Sequence, residues 1–340
     1  MGVPARAASS APSAAILSTP DARTVYSETA TFKAWIAGAG PTGTMTFMDA
    51  GKTIGSGVVA RSRDQYAIAA GENHSCALTP LGAVFCWGNN VFRQLGDGTT
   101  TESDVPVPVV GLPSGVVAIS AGSWHTCALT KTGAVWCWGY GMSGQLGNGA
   151  FSESAAPGLV AGLSSGIVAI AAGREHTCAL SATGGLKCWG YNGGGNLGIG
   201  TLANQNTPVQ PEGLASGVAA VSAGLSTTCA LTKDGGVLCW GQNNAGQVGD
   251  GTFTTRTTPV PVTGLSSGIA DITSTKEATN CALTDAGGVK CWGYNGYGQL
   301  GIGSVTGESL VPVQVSGLAA GVFAVEGGRR QTCAVTKAGA

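Results

Sequence analysis

The 340-residue chain holds 57 glycines, 43% hydrophobic residues and only 10% charged ones, with 17 basic against 18 acidic side chains. Glycine costs a helix interior about 1 kcal/mol per position, the apolar content is too high for a disordered chain, and the glycines lack the three-residue period of collagen, so an all-β protein rich in turns remains. No basic stripe offers itself to phosphates and no apolar run reaches the roughly 18 residues of a spanning helix, so neither a nucleic-acid partner nor a membrane span is expected.

From the N-terminus, residues 1–14 read as a flexible Ala/Ser/Pro linker. The opening MGVPARAASSAPSAAILSTP has no apolar stretch long enough for a signal-peptide core. TATFKAWIAGAGPTGTMTFMDAGKTIGSG (29–57) alternates in the manner of strands, with a PTG turn at 41–43. This stretch resembles bacterial immunoglobulin-like repeats with PTGTVTF-type strands. It covers about half of a sandwich of roughly 100 residues, so 15–66 is expected to be a partial immunoglobulin-like β segment. RSRDQYAIAAG (61–71) either supplies a late strand of that segment or opens the first blade of the repetitive region.

From residue 67 to 340 the chain is repetitive. Cys76, Cys127, Cys178, Cys229, Cys281 and Cys333 are spaced 51, 51, 51, 52 and 52 residues apart, and the first five are each followed after 10 residues by Cys86, Cys137, Cys188, Cys239 and Cys291. Trp87, Trp138, Trp189, Trp240 and Trp292 come directly after those second cysteines. A fixed period of this length marks a repeat architecture. In one unit, VVAISAG (116–122), HTCALT (125–130) and AVWCWG (134–139) read as strands, YGMSGQLGNG (140–149) as a polar loop, and a fourth strand is expected near Pro157 to Val160. The KTG connection (131–133) ends in glycine, which accepts the left-handed conformation of a three-residue hairpin loop without strain. That turn sets Leu129 opposite Val135, Ala128 opposite Trp136, Cys127 opposite Cys137 and Thr126 opposite Trp138. Both faces of such a sheet are largely apolar and call for cover on each side. Four-stranded sheets stacked face to face around an axis make a β-propeller.

Directly opposed cysteines on antiparallel strands lie within disulfide reach. The expected pairs are Cys76–Cys86, Cys127–Cys137, Cys178–Cys188, Cys229–Cys239 and Cys281–Cys291. The competing reading is reduced cysteine serving as a small core residue, although Ala or Val would serve as well. Zinc is disfavoured, because its ligand pairs favour two to four intervening residues; no metal and no cofactor are expected. Disulfides imply an oxidising compartment.

WCWGYGMSGQLGNG (136–149) recurs as FCWGNNVFRQLGDG (85–98), KCWGYNGGGNLGIG (187–200), LCWGQNNAGQVGDG (238–251) and KCWGYNGYGQLGIG (290–303). The motif resembles the repeat of the regulator of chromosome condensation family, with its WGxNxxGQLGxG signature, over about four-fifths of the chain. The resemblance implies a propeller, normally of seven blades. Here the spacing yields about six units. The sixth stops after the turn that follows Cys333, so an open arc, a further blade and an upstream secretion signal are expectations. The cysteines are similar to those of a variant found in secreted bacterial proteins and plant receptor-kinase ectodomains.

His74, His125 and His176 share one repeat position, held later by Thr227, Thr279 and Gln331, which points to a structural hydrogen bond rather than a metal site. Trp124 is different, because Asn73, Glu175 and Arg330 stand in its place elsewhere. Residues that a repeat does not dictate are candidates for recognition, and Tyr, Trp and Arg dominate interface hot spots. The candidate partner-binding set is Trp124, Arg174, Glu175, Tyr191, Phe92, Arg93, Tyr294, Tyr297 and Arg329. No acid/base set or nucleophile triad recurs at a fixed register, and Asp97, Asp250, Glu102 and Glu153 stand singly on loops. The expectation is a non-catalytic, exported or surface bacterial propeller, monomeric, binding a protein or glycan through rim loops. The rivals are an intracellular guanine-nucleotide exchange factor for a small GTPase and a propeller-type lyase or hydrolase.

Overall fold

The computed structural model describes residues 68–305 and 307–336 with their side chains, and the strands Ala15–Ser18, Lys33–Ile36, Gly43–Asp49 and Lys52–Val59 by their backbone. The chain divides into a unit of 1–63 with 335–340 and a larger one of 64–334. In the smaller unit Ala15–Ser18 pairs antiparallel with Lys33–Ile36, and Gly43–Asp49 forms a hairpin with Lys52–Val59. The expected linker (1–14) and the turns at 41–42 and 337–339 lie outside the described residues.

Only strands and turns occur among the described residues of the larger unit. Five four-stranded antiparallel sheets span 68–108, 116–159, 167–209, 218–261 and 269–314, and we number them blades 1 to 5. A sixth sheet holds two strands, Val322–Gly327 and Thr332–Thr336. In blade 2 the order is sequential through Val116–Ala121, His125–Thr130, Val135–Gly139 and Ser154–Leu159. The fourth strand starts earlier than Pro157, because Gly139 already pairs with Ser154 across a bulge. The hairpin register is the expected one: Leu129–Val135, Ala128–Trp136, Cys127–Cys137 and Thr126–Trp138. Gly133 closes the turn at φ 82°, a conformation that a side chain would strain.

The two faces of each sheet bury different residues, and neighbouring blades fit them together. Cys127, Leu129, Val135 and Cys137 of blade 2 pack against Ala179 and Trp189 of blade 3. The same pattern joins blade 1 to Ala128 and Trp138, blade 3 to Ala230 and Trp240, and blade 4 to Ala282 and Trp292. Disulfides join all five expected pairs, with Cα atoms 4.0–4.1 Å apart. Their cysteines are at most 1% exposed, so they serve both as cross-links and as core.

Candidate functional site

Because the strands alternate in direction, two connections of every blade emerge at the same end of the sheet. One is the tight turn before the first cysteine, and the other is the long loop after Cys-Trp-Gly. A shared framework fixes both. His74 Nε2 bonds Thr126 Oγ1 at 2.8 Å, His125 bonds Thr177 at 2.9 Å, and His176 bonds Thr228 at 2.9 Å, each reaching from one blade to the next. Those threonines donate onward to the carbonyls of Gln94, Gln145 and Asn196 at 3.1, 3.0 and 2.8 Å. The histidine must therefore be the donor to threonine, which places its proton on Nε2. Burial first, and the charge of Lys276 second, push His74 down to about 4 and His176 to about 3, with His125 also well below the usual imidazole range. These are neutral structural groups. Thr227 and Thr279 turn instead to the Gln242 and Tyr294 carbonyls of their own blades.

The long loops are held by the tryptophans and by buried asparagines. Trp138, Trp189, Trp240 and Trp292 donate from Nε1 to the carbonyls of Gln94, Gln145, Asn196 and Gln247 of the preceding blade, at 2.8–3.0 Å. Asn90, Asn192, Asn243 and Asn295 each accept from the backbone nitrogen five residues ahead, at 2.8–3.1 Å, and donate from their amide across the loop. The loop acids act as braces. Asp97 binds Thr99, Glu102 binds Asn89, and Asp250 takes Arg256 Nε at 2.6 Å. Burial alone would raise the Asp250 pKa, but the bonds from Thr252 and Arg256 outweigh it and hold the carboxyl below its ordinary value.

On this framework the variable residues form two clusters. Phe92 of blade 1 meets Trp124 and Tyr140 of blade 2 with ring centroids 5.5 and 5.1 Å apart, and Trp124 meets Tyr140 edge-on at 5.7 Å. The Arg174 guanidinium of blade 3 lies 5.5 Å from the Trp124 ring and 3.6 Å from Glu175, whose carboxylate accepts from Ser143 Oγ at 2.9 Å. Arg93 pairs with Glu153 at 3.3 Å beside them. Burial, then Glu175 and Glu153, raise the Tyr140 pKa, so it stays a neutral phenol. In the second cluster Tyr294 and Tyr297 pack edge-on at 5.9 Å, and Arg330 lies 4.6 Å from the Tyr297 ring. Glu277 takes Arg329 at 3.4 Å and Arg330 at 3.1 Å. Arg329 also reaches Glu72 of blade 1 at 3.0 Å, so the first and sixth units meet at their inner turns.

The structure thus gathers Phe92, Trp124, Arg174, Glu175 and Arg93 into one patch and Tyr294, Tyr297 and Arg329 into another. Tyr191 joins neither among the described contacts, and its hydroxyl folds over Gly193. Tyr140, Glu277 and Arg330 belong to these clusters without standing out in the sequence. Tyr140 shares the repeat position of Tyr191 and Tyr294, and Glu277 and Arg330 share those of Arg174 and Trp124, so register alone could have found them. Lys276, equally inconspicuous, sits on the extra residue of the 52-residue unit and donates to the Ala172 carbonyl of blade 3 at 2.5 Å. Burial lowers it to about 8 against the pull of Glu326 and Glu72. Among the described residues no group of three or more His, Cys, Asp or Glu is placed to hold a metal ion.

A family model described as the RCC1-like domain matches residues 33–340. The ultraviolet-B receptor UVR8 of Arabidopsis thaliana is 34% identical over 239 residues, 69% of this chain and 54% of the receptor, so the chain spans about half of that relative's length. Human WBSCR16 superposes with a TM-score of 0.70 at 25% identity, covering 79% of this chain and 71% of that one. Prp20p of Saccharomyces cerevisiae, described with binding properties to Gsp1p and histones, gives a TM-score of 0.68 at 22% identity over 78% of this chain and 67% of its own, a likeness of fold.

Proposed function

Because the chain belongs to the RCC1-like domain family, we propose that it is a non-catalytic propeller scaffold that captures a protein partner on the patch of Phe92, Trp124, Tyr140 and Arg174. One observation carries this reading: three aromatic rings and a guanidinium from three successive blades converge at one end of the sheets, at positions the repeat leaves variable. Tyr, Trp and Arg in one contact group are the usual anchors of protein interfaces. The partly covered rings and the Glu175–Ser143 bond hold the group in place, which lowers the ordering cost of binding. The buried disulfides support an exported or surface protein in an oxidising compartment, and a monomer is part of the same proposal. The segment 15–66 is proposed as a partial immunoglobulin-like spacer preceded by the linker 1–14.

The test selects short random displayed peptides on the immobilised chain and retests the winners on Trp124→Ala, Phe92→Ala and Tyr191→Ala. The first two are expected to weaken binding by about 2 kcal/mol, roughly thirtyfold, and the third to leave it unchanged. Winners indifferent to Trp124→Ala would place recognition elsewhere. The exchange-factor reading is checked with Gsp1p, because Prp20p is described as binding it. Release of labelled GDP from Gsp1p is expected to stay at its intrinsic rate; acceleration by this chain would replace the scaffold reading.

A further inference from the structure

One long loop carries a side chain where the others carry glycine. Blades 2 to 5 place Gly144, Gly195, Gly246 and Gly298 at one register, all at φ 72–88°. A Cβ on Gly144, Gly195 or Gly246 would come within 2.5–3.0 Å of the next blade. In blade 1 the same position is Arg93, held at φ 65°. A left-handed arginine is strained, and strain that persists at one position points to a function there. Its neighbour Phe92 also departs from the repeat, which has Ser143, Gly194, Ala245 and Tyr297 in its place. Both side chains run to the aromatic patch, Phe92 to Trp124 and Tyr140, and Arg93 to Glu153.

This group of residues is short of acceptors. Arg93 gives only Nε to Glu153, and no described residue takes its other two nitrogens. Arg174 Nε lies 3.6 Å from Glu175, too far to bond, and has no hydrogen-bond partner. Gln145 is fully buried, yet its amide nitrogen is unpartnered. In blades 1 and 4 the equivalent nitrogens of Gln94 and Gln247 reach Asn89 and Asn244 Oδ1 at 2.8 and 3.2 Å. Blade 2 puts Tyr140 and Met142 at those two positions, which bring no amide oxygen. The buried Ser123 hydroxyl, whose backbone N–H bonds the Arg174 carbonyl, is unpartnered too. Both carboxylates are already engaged, Glu153 by Arg93 and Glu175 by Ser143. The guanidiniums of Arg93 and Arg174, 39% and 42% exposed, also stand further into solvent than Glu153 and Glu175, at 31% and 21%.

We infer that the partner of this patch offers carboxylates, on an extended segment whose aromatic side chain is flanked two residues away on each side by Asp or Glu. Alternate side chains of an extended chain point the same way, so all three meet the patch together. The aromatic side chain packs on Phe92, Trp124 and Tyr140, while Arg93 of blade 1 and Arg174 of blade 3 take the two carboxylates. A guanidinium bonds a carboxylate through its edge with two parallel N–H groups and stacks through its face, so Arg174 keeps its place over Trp124 while it binds. The inference rests on the protein-capture reading above and names the chemistry that reading leaves open.

The probe is a displayed library of heptapeptides, with Glu, Gln or Lys at the second and sixth positions, Phe or Ala at the fourth, and Thr elsewhere. It is panned on the immobilised full chain and the survivors are counted by sequencing. Glu is expected to exceed Gln and Lys by at least about tenfold at both flanking positions, and Phe to exceed Ala at the centre. Arg93→Gly and Arg174→Gln should each lower the Glu preference and leave the Phe preference in place. Arg93→Gly should do so without lowering the melting temperature, because glycine suits the left-handed backbone there. Equal counts of Glu, Gln and Lys with Phe still enriched, or a preference for Lys, would overturn this inference and leave the capture reading standing. No enrichment at any position would overturn both. A Glu preference unchanged in both variants would overturn the assignment of the carboxylates to these two guanidiniums.

Discussion

The histidines show how a single side chain sets a condition on the whole fold. Each is fully enclosed, donates to a threonine of the next blade, and is held neutral with its pKa pushed far below that of an exposed imidazole. In the unfolded chain the same groups bind protons below about pH 6.5. Between that pH and the folded values of about 4 and 3, the unfolded state therefore holds more protons, and stability falls as pH falls. Chemical denaturation is expected to be flat near neutrality and to weaken steadily from pH 6.5 to 4. The same measurement on His125→Thr should show a shallower slope, because Thr occupies that position in blades 4 and 5 without bridging. An unchanged slope would assign the acid sensitivity to the carboxylates. Lys276 works in the opposite range. Its depressed pKa of about 8 means that its charge is held in the fold at a cost, which fades as pH rises past that value.

At the scale of the element, the hairpin is the unit the sequence spells out. A three-residue turn ending in glycine fixes which residues face each other, and that fixes the cysteine pairs, so strands, register and disulfides are all legible in the residues themselves. Removing one cross-link as Cys127→Ser with Cys137→Ser should cost about 2–3 kcal/mol on the chain-entropy estimate, measured by urea unfolding against wild type. A loss below about 0.5 kcal/mol would mean that neither the bond nor the packing of its two sulfurs holds the hairpin. The long loop is less legible. Its geometry depends on Asn90, Asn192, Asn243 and Asn295 turning inward to satisfy their own backbone, and nothing in a polar Gly-rich stretch distinguishes an inward amide from a solvated one. The residues proposed for recognition are half legible for a related reason. Register singles out Trp124 and Arg174 as departures from the repeat and could nominate Tyr140 and Glu277 as well, but which of these residues touch depends on the angle between blades and emerges only from the packing.

For the molecule as a whole, cohesion lies in the seams. Blades 2 to 5 each push an alanine and an indole into the cysteine-lined apolar face of the blade before. Trp189→Ala should therefore cost about 3–5 kcal/mol, the range for emptying a buried aromatic site. Trp189→Phe should cost less, since Thr177 still donates to the Gln145 carbonyl that loses the indole. Thermal melts of both variants check this ranking. Equal losses would show that the hydrogen bond, which both variants lack, and not the buried surface governs the seam. Because each blade touches mainly its two neighbours, such an array is approximated by intrinsic and nearest-neighbour energies.

The indole contacts share one sense, always from a later blade to the carbonyl of an earlier one. Blades are therefore bricks with a tongue on one flank and a groove on the other, and any brick can follow any other without a new joint being invented. Duplicating, deleting or shuffling whole bricks rearranges the short turns that carry Trp124, Arg174, Lys276 and Arg330 while leaving the masonry alone. Moving a brick would change which side chains meet on those turns, while the joint between neighbours stays the same.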